Sequence, residues 1–165
     1  RYGSENLRIV NGKAYGKLFI KSSGNGREEK QDTGLSYISS NPYVITVSAL
    51  TNENKYASYS TAGSNIFVSG YAGNFYNNSA TIGTTTVEGN TDFPTWKEDS
   101  KKNYTYAMNG TSAATPTVAG SLALVLEACP TLSWRDVRYL IAKTAIQIDS
   151  DNDTWYTNSA DFHHS

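Results

Sequence analysis

The run from residue 112 to 127 constrains this chain more than any other. Ala113, Ala114, Val118, Ala119, Leu122, Ala123, Val125 and Leu126 fall on every side of a helical projection. A helix with no polar face belongs in an interior. The pattern therefore predicts a helix buried all round, with Gly120 and Ser121 small enough to let it approach a sheet. The partner for such a helix is visible upstream. Tyr43-Val44-Ile45-Thr46-Val47-Ser48-Ala49 is a nearly continuous apolar run, the pattern of a strand covered on both faces in a parallel sheet. Shorter strands are expected at 17–22 and at 66–69, the latter closed by Gly70, with a turn-rich link at 58–63. The alternation of these elements gives an α/β fold.

The remaining segments are less constrained. Residues 1–11 read as the end of a helix broken at Asn11-Gly12, and 81–87 as a hairpin arm before a polar loop at 89–103. A second helix is expected to start at Ser133, a good N-cap with Asp136 three residues on. Its stripe of Trp134, Val137, Leu140, Ile141 and Ala145 is one-sided, so this helix should lie on the outside of the domain.

The first helix is preceded by Gly110-Thr111-Ser112-Ala113-Ala114-Thr115-Pro116, which puts a serine in its first turn. The opening N–H groups of a helix have no intrahelical partners and carry the positive end of the macrodipole, so an oxyanion forming beside Ser112 would be stabilised. Gly110 leaves room for close approach. Thr111 can place a hydroxyl near the oxyanion, and Ala113 and Ala114 keep the turn slim. Pro116 comes early, where a missing N–H costs little. Read alone, Ser112 could equally be an ordinary helix cap. The motif G-T-S-x-A-x-P, however, resembles the nucleophile signature of subtilisin-like serine proteases.

That resemblance gives meaning to Ser22-Ser23-Gly24-Asn25-Gly26, which follows the strand at 17–22. Gly and Asn there would otherwise mark only a turn. Sites in open α/β sheets form beyond the carboxyl ends of strands. The family's strand ends in a small-small-Gly-Asn run whose asparagine is the oxyanion-hole donor, which maps onto Asn25. The Ser112 backbone N–H would be the second donor. Ser22, Ser23 and Gly24 would line a wall of the primary specificity pocket, with Thr111 also among the substrate-binding residues.

The likeness narrows further. Leu126-Glu127-Ala128-Cys129-Pro130 followed by Thr131-Leu132-Ser133-Trp134-Arg135-Asp136-Val137 resembles a stretch of kexin- and furin-like proprotein convertases and their bacterial relatives. The tail around Asp153-Thr154-Trp155-Tyr156-Thr157-Asn158 and His163-His164-Ser165 is similar too, without the family's His-x-x-Gly-Phe-Gly strand. Convertases cut after basic residues because acids lie in the specificity pocket. Here Ser36 and Thr61 register with those acids, while Glu28, Glu29 and Asp32 lie nearby. Basic specificity and the calcium site that such acids help to build are therefore not expected from this sequence, although the parent protein could carry structural calcium. Asp149, Asp151 and Asp153 alternate but lack a full calcium-loop pattern and read as a solvated turn.

The family's triad runs Asp, His, Ser, so both partners of Ser112 should precede it. No histidine occurs before His163. His163 and His164 read as tail residues. The resemblance thus implies that residues 1–165 are the C-terminal portion of a single subtilisin-like peptidase domain, a parallel sheet with helices on both faces. Its partners would be a polypeptide substrate and the remainder of the catalytic domain bearing Asp and His.

Other classes fit less well. A net charge of −1 gives no basic footprint for nucleic acid, and no apolar run reaches the roughly 20 residues of a membrane span. The chain has no evident cofactor motif, since the turn at 23–26 lacks G-x-G-x-x-G and a Walker lysine. A subtilisin-fold pseudoenzyme that binds without cutting is the main alternative. Charged residues make up only 18% of a chain rich in Tyr, Ser, Thr, Asn and Gly, which suits a secreted or cell-envelope protein. The N-x-[Ser/Thr] matches at Asn77, Asn103, Asn109 and Asn152 read as chance in so asparagine-rich a sequence. Cys129 stands alone and forms no internal disulfide.

Overall fold

The computed structural model describes residues 1–74, 80–95, 99–149, 156–157, 159 and 163–164. Its centre is a three-stranded parallel sheet in the order β3-β4-β5, formed by β3 (Phe19–Ser22), β4 (Val44–Leu50) and β5 (Ile66–Tyr71). β4 is the middle strand, and all its residues after Val44 are buried. This is the continuous apolar run read from the sequence, extended by Leu50. Ile20 pairs with Ile45 and Ser22 with Val47 on one side. On the other, the register slips between Thr46 and Val47, so that Phe67 is the extra residue of β5.

Helix α2 (Thr111–Ala128) lies across this sheet and touches all three strands. Gly70 shows why it can come so close. A Cβ there would sit 2.8 Å from the Ala114 carbonyl oxygen and 2.9 Å from the Val118 side chain. Gly70 is thus inside β5, where the sequence reading had put it at the strand's end. The core consists of Ile45, Val47 and Ala49 from the sheet, Ala57 and Ala72 from its loops, Ala113, Ala114 and Leu122 from α2, and two residues of the second long helix.

The expectation that α2 is buried all round is not met within this chain. Thr111, Ala113, Ala114 and Leu122 are buried, but Ala123 is exposed and Leu124 is 67% exposed. Apolar residues fall on every side, but the side away from the sheet also carries Thr117, Ser121 and Glu127, all exposed. Pro116 also sits deeper than expected. As the sixth residue of α2, it lacks the N–H that would bond the Ser112 carbonyl.

Helix α3 (Trp134–Thr144) behaves as its stripe predicts. Val137 and Ile141 are buried, while Arg135, Asp136 and Tyr139 are exposed. Trp134 packs edge-on to Tyr43, with ring centroids 5.0 Å apart. Arg138 lies 3.9 Å over the Phe67 ring and donates to the Val44 carbonyl at 2.9 Å. Burial lowers its pKa. Ala145 falls after the helix and is exposed.

The N-terminal segment departs from the sequence reading. α1 (Tyr2–Asn6) ends before Asn11-Gly12, which instead turns a small hairpin of β1 (Ile9–Val10) and β2 (Lys13–Ala14). Both turn residues have positive φ, the requirement of the tightest hairpins. Arg8 fastens this hairpin to the far end of the chain through the carbonyls of Pro130 and Leu132. The hairpin arm expected at 81–87 is β6 (Ile82–Thr85), and it pairs with β7 (Tyr104–Met108), a strand the sequence reading missed. In the tail, β8 (Tyr156–Thr157) and β9 (His163–His164) pair antiparallel. Asn77, Asp151, Asn152 and Asp153 lie outside the described residues.

Candidate active site

The carboxyl end of the sheet and the start of α2 meet at one corner. β3 delivers Ser22, and Ser23 extends the strand by donating to the Val47 carbonyl at 2.9 Å. Gly24 then turns with a φ of +105°, a backbone conformation that favours glycine. Its N–H donates to the Thr111 hydroxyl at 3.2 Å, and its carbonyl accepts from Thr61 N–H at 2.9 Å. Asn25 follows at the surface. Gly26 is buried, with its N–H on the Thr61 hydroxyl at 2.8 Å. Asn25 therefore rides on a short loop whose flanking N–H groups are both fixed by threonines.

The Asn25 side chain is oriented without ambiguity. Its Oδ1 accepts from the Thr111 N–H at 3.0 Å and from the Thr111 hydroxyl at 2.8 Å. A backbone N–H can only donate, so the atom it meets must be the oxygen. The amide nitrogen consequently points away from Thr111 and has no hydrogen-bond partner among the described residues. Gly110 is needed beside it, because a Cβ at that residue would lie 3.1 Å from Nδ2. The single hydroxyl proton of Thr111 is committed to Asn25, so the sequence reading that placed it beside the oxyanion gives way to an orienting role.

Ser112 is the second residue of α2 and is exposed. Gly110 is the N-cap, so Ser112 is not the capping residue. Of the opening N–H groups, that of Thr111 goes to Asn25, and those of Ala113 and Ala114 reach the Gly110 carbonyl at 2.9 and 3.3 Å. The Ser112 N–H has no partner among the described residues. The helix start thus leaves open one donor, the one beside the serine hydroxyl.

Tyr59 was not singled out by sequence reasoning, yet it joins three loops. Its hydroxyl donates to the Gly73 carbonyl at 2.6 Å and accepts from the Gly110 N–H at 3.0 Å. Burial pushes the phenol above its ordinary pKa, and the Gly110 bond pulls less strongly the other way. The residues registered with convertase acids have other uses. Thr61 is buried and holds Gly26, while Ser36 ends a 3₁₀ turn (Thr33–Leu35). Asp32 is exposed and caps that turn through the Gly34 N–H at 2.7 Å. Ser23 is buried, and its hydroxyl has no partner among the described residues.

A parallel sheet with a serine-bearing helix start and an asparagine at the carboxyl edge defines a subtilisin-like α/β peptidase fold. The chain belongs to the subtilase family, whose profile matches residues 3–164. It is 32% identical to the Aeromonas extracellular serine protease of Aeromonas sobria over 84% of its own length and 27% of the relative's. It is also 29% identical to mouse proprotein convertase subtilisin/kexin type 7, over 92% of this chain and 18% of that protein. Mouse furin is 29% identical over 87% and 16%. The solved structure of the Aeromonas sobria serine protease superposes with a TM-score of 0.79 at 31% identity, covering 92% of this chain and 31% of that one. The chain thus spans less than a third of each of these relatives.

Proposed function

We propose that this chain is the nucleophile-bearing part of a serine endopeptidase that cuts polypeptides through an acyl-enzyme on Ser112. The reading is supported by the Asn25 side chain, which Thr111 beside Ser112 orients through Oδ1, and by an exposed Ser112 whose N–H has no partner among the described residues. The hydroxyl oxygen attacks the scissile carbonyl, its proton passes to a base, and the carbonyl oxygen takes the negative charge facing those donors. The base then protonates the leaving amine, and water releases the acyl group.

Because no histidine precedes His163, the base and its aspartate come from a segment beyond residues 1–165. The exposed Ala123 and Leu124 of α2 support this, as does a groove of about 300 Å³ against the first turns of that helix, lined by Ile82, Thr84, Met108, Ala113, Pro116 and Thr117. The relatives' greater length supplies the material to cover both. An extracellular setting is supported by the Aeromonas relative. A fluorophosphonate should label Ser112 in the full-length protein, and neither its Ser112→Ala variant nor residues 1–165 alone should react. A full-length protein that fails to label is a binding protein of this fold.

The same site gives a specificity that does not demand a basic residue before the cut. A buried cation without a partner costs several kcal/mol, and Ser36 and Thr61 stand where the convertase acids register. Digestion of a peptide library should yield cuts after residues of several kinds; strict cleavage after Arg or Lys would restore convertase specificity.

A further inference from the structure

The oxyanion reading needs two donors that belong to different segments, Asn25 on the loop after β3 and Ser112 at the start of α2. Thr111 joins these segments directly, through the Asn25 side chain and the Gly24 N–H. A second residue ties the two backbones at other points. The Tyr59 carbonyl accepts the Arg27 N–H at 3.2 Å, two residues beyond Asn25. The Tyr59 hydroxyl accepts the Gly110 N–H at 3.0 Å, two residues before Ser112. One residue therefore spans from the asparagine loop to the nucleophile turn.

The far end of this brace is rigid. The hydroxyl donates to Gly73, whose own N–H is fixed to the Leu50 carbonyl at 3.0 Å. Gly73 has a φ of +71°, and a Cβ there would lie 1.6 Å from the Ala80 carbonyl oxygen, so its position admits little adjustment. The ring itself packs against the core. Gly110, in contrast, has a φ of +86° and no side chain, and the Tyr59 hydroxyl is the partner that its N–H finds.

We propose that Tyr59 is a positioning residue, which sets the separation of the two oxyanion donors by bracing Gly110 against Gly73 and the Asn25 loop. The proposal rests on the reading of Ser112 and Asn25 given above. Removing its hydroxyl leaves the Gly110 N–H and the Gly73 carbonyl unpaired and frees the turn to shift, which loosens the fit to the transition state more than to the substrate.

The test is Tyr59→Phe in the full-length enzyme, with active sites counted by fluorophosphonate titration so that only folded, competent molecules enter kcat. The expected result is a fall in kcat of roughly tenfold with KM within about twofold, since the displaced donors serve the transition state and not the bound substrate. A peptide boronate, which carries a tetrahedral oxyanion mimic, should lose affinity by a similar factor, while a product peptide should not. A purely structural tyrosine would lower the titrated fraction and leave these ratios alone. Unchanged kcat per titrated site, or equal weakening of boronate and product peptide, overturns the proposal. Should the variant not fold, amide exchange in the wild-type enzyme decides: Gly110 should be protected, and exchange as fast as in an open loop overturns it. Loss of labelling in Ser112→Ala beside an unaffected Tyr59→Phe would refute the brace while leaving the nucleophile standing.

Discussion

The two long helices begin in opposite ways. At the start of α3, Ser133 and Asp136 satisfy each other's backbone, with the Ser133 N–H on the Asp136 carboxylate at 2.7 Å and the Asp136 N–H on the Ser133 hydroxyl at 3.3 Å. The Val137 N–H bonds the Ser133 carbonyl at 3.1 Å. At the start of α2, a glycine stands at the cap with no side chain to offer. Thr111 turns its N–H to an asparagine 86 residues away, and the Ser112 N–H stays open. Capping an orphan N–H contributes about 1 kcal/mol, so α2 forgoes stability that α3 takes. An N–H that is already capped has nothing left for an oxyanion. The contrast separates a helix start built to stop fraying from one that, on the proposed function, is kept available for chemistry.

The comparison can be broken most sharply at Asn25. In the full-length enzyme, Asn25→Ala removes one of the two open donors and should cut kcat by roughly 10²–10³, the range known for such a donor in subtilisin, with KM little changed. A loss below tenfold would mean that the α2 start is open for some other reason. Thr111→Val tests the orientation together with the hydroxyl's bond from the Gly24 N–H. It keeps the N–H but deletes the hydroxyl that pins Oδ1, and kcat per titrated site should fall roughly tenfold. If turnover is unchanged, the backbone bond suffices to hold the amide.

The α3 side makes the opposite prediction. Ser133→Ala should lower unfolding stability by about 1 kcal/mol, read by denaturant titration, and leave kcat per titrated site unchanged. A change in kcat would show that the two starts are coupled. The smallest effect concerns pH. Hydrogen bonds from Ser133, first side chain and then backbone, hold the exposed Asp136 carboxyl below its ordinary value. A lowered carboxyl pKa adds stability that is complete above the unfolded value and disappears as pH falls through the folded one. Asp136→Asn should therefore lower stability slightly in the neutral region, where that contribution is complete, and meet the parent curve in acid, which flattens the acid limb. An equally steep acid limb would remove the capping box from the account.

Much of this contrast was legible in the residues, because it depends on chemistry close in sequence. The Ser133–Asp136 cap spans four positions, the G-T-S-x-A-x-P motif seven, and the buried strand around Val47 a single apolar run. Short motifs fix side-chain type and spacing together, so they speak for themselves. Tyr59 did not, since a lone tyrosine in a turn-rich link looks like any other until Gly73 and Gly110 converge on its hydroxyl. β7 was missed for a similar reason. Its polar and aromatic residues carry no strong alternation, and only pairing with β6 makes it a strand. The exposed side of α2 was misread because a composition states that a face is apolar, not that this chain supplies the layer to cover it.

The sequence by itself determined the class of fold, the serine at a helix start and the asparagine after a strand, since each follows from local pattern. Only the tertiary structure decided which way the Asn25 amide points, that the Thr111 proton is spent on it, and that the Ser112 N–H is left over. Those outcomes depend on which donors meet which acceptors across 86 residues of chain. Hydrogen-bond partners are chosen in space, and a sequence lists only candidates.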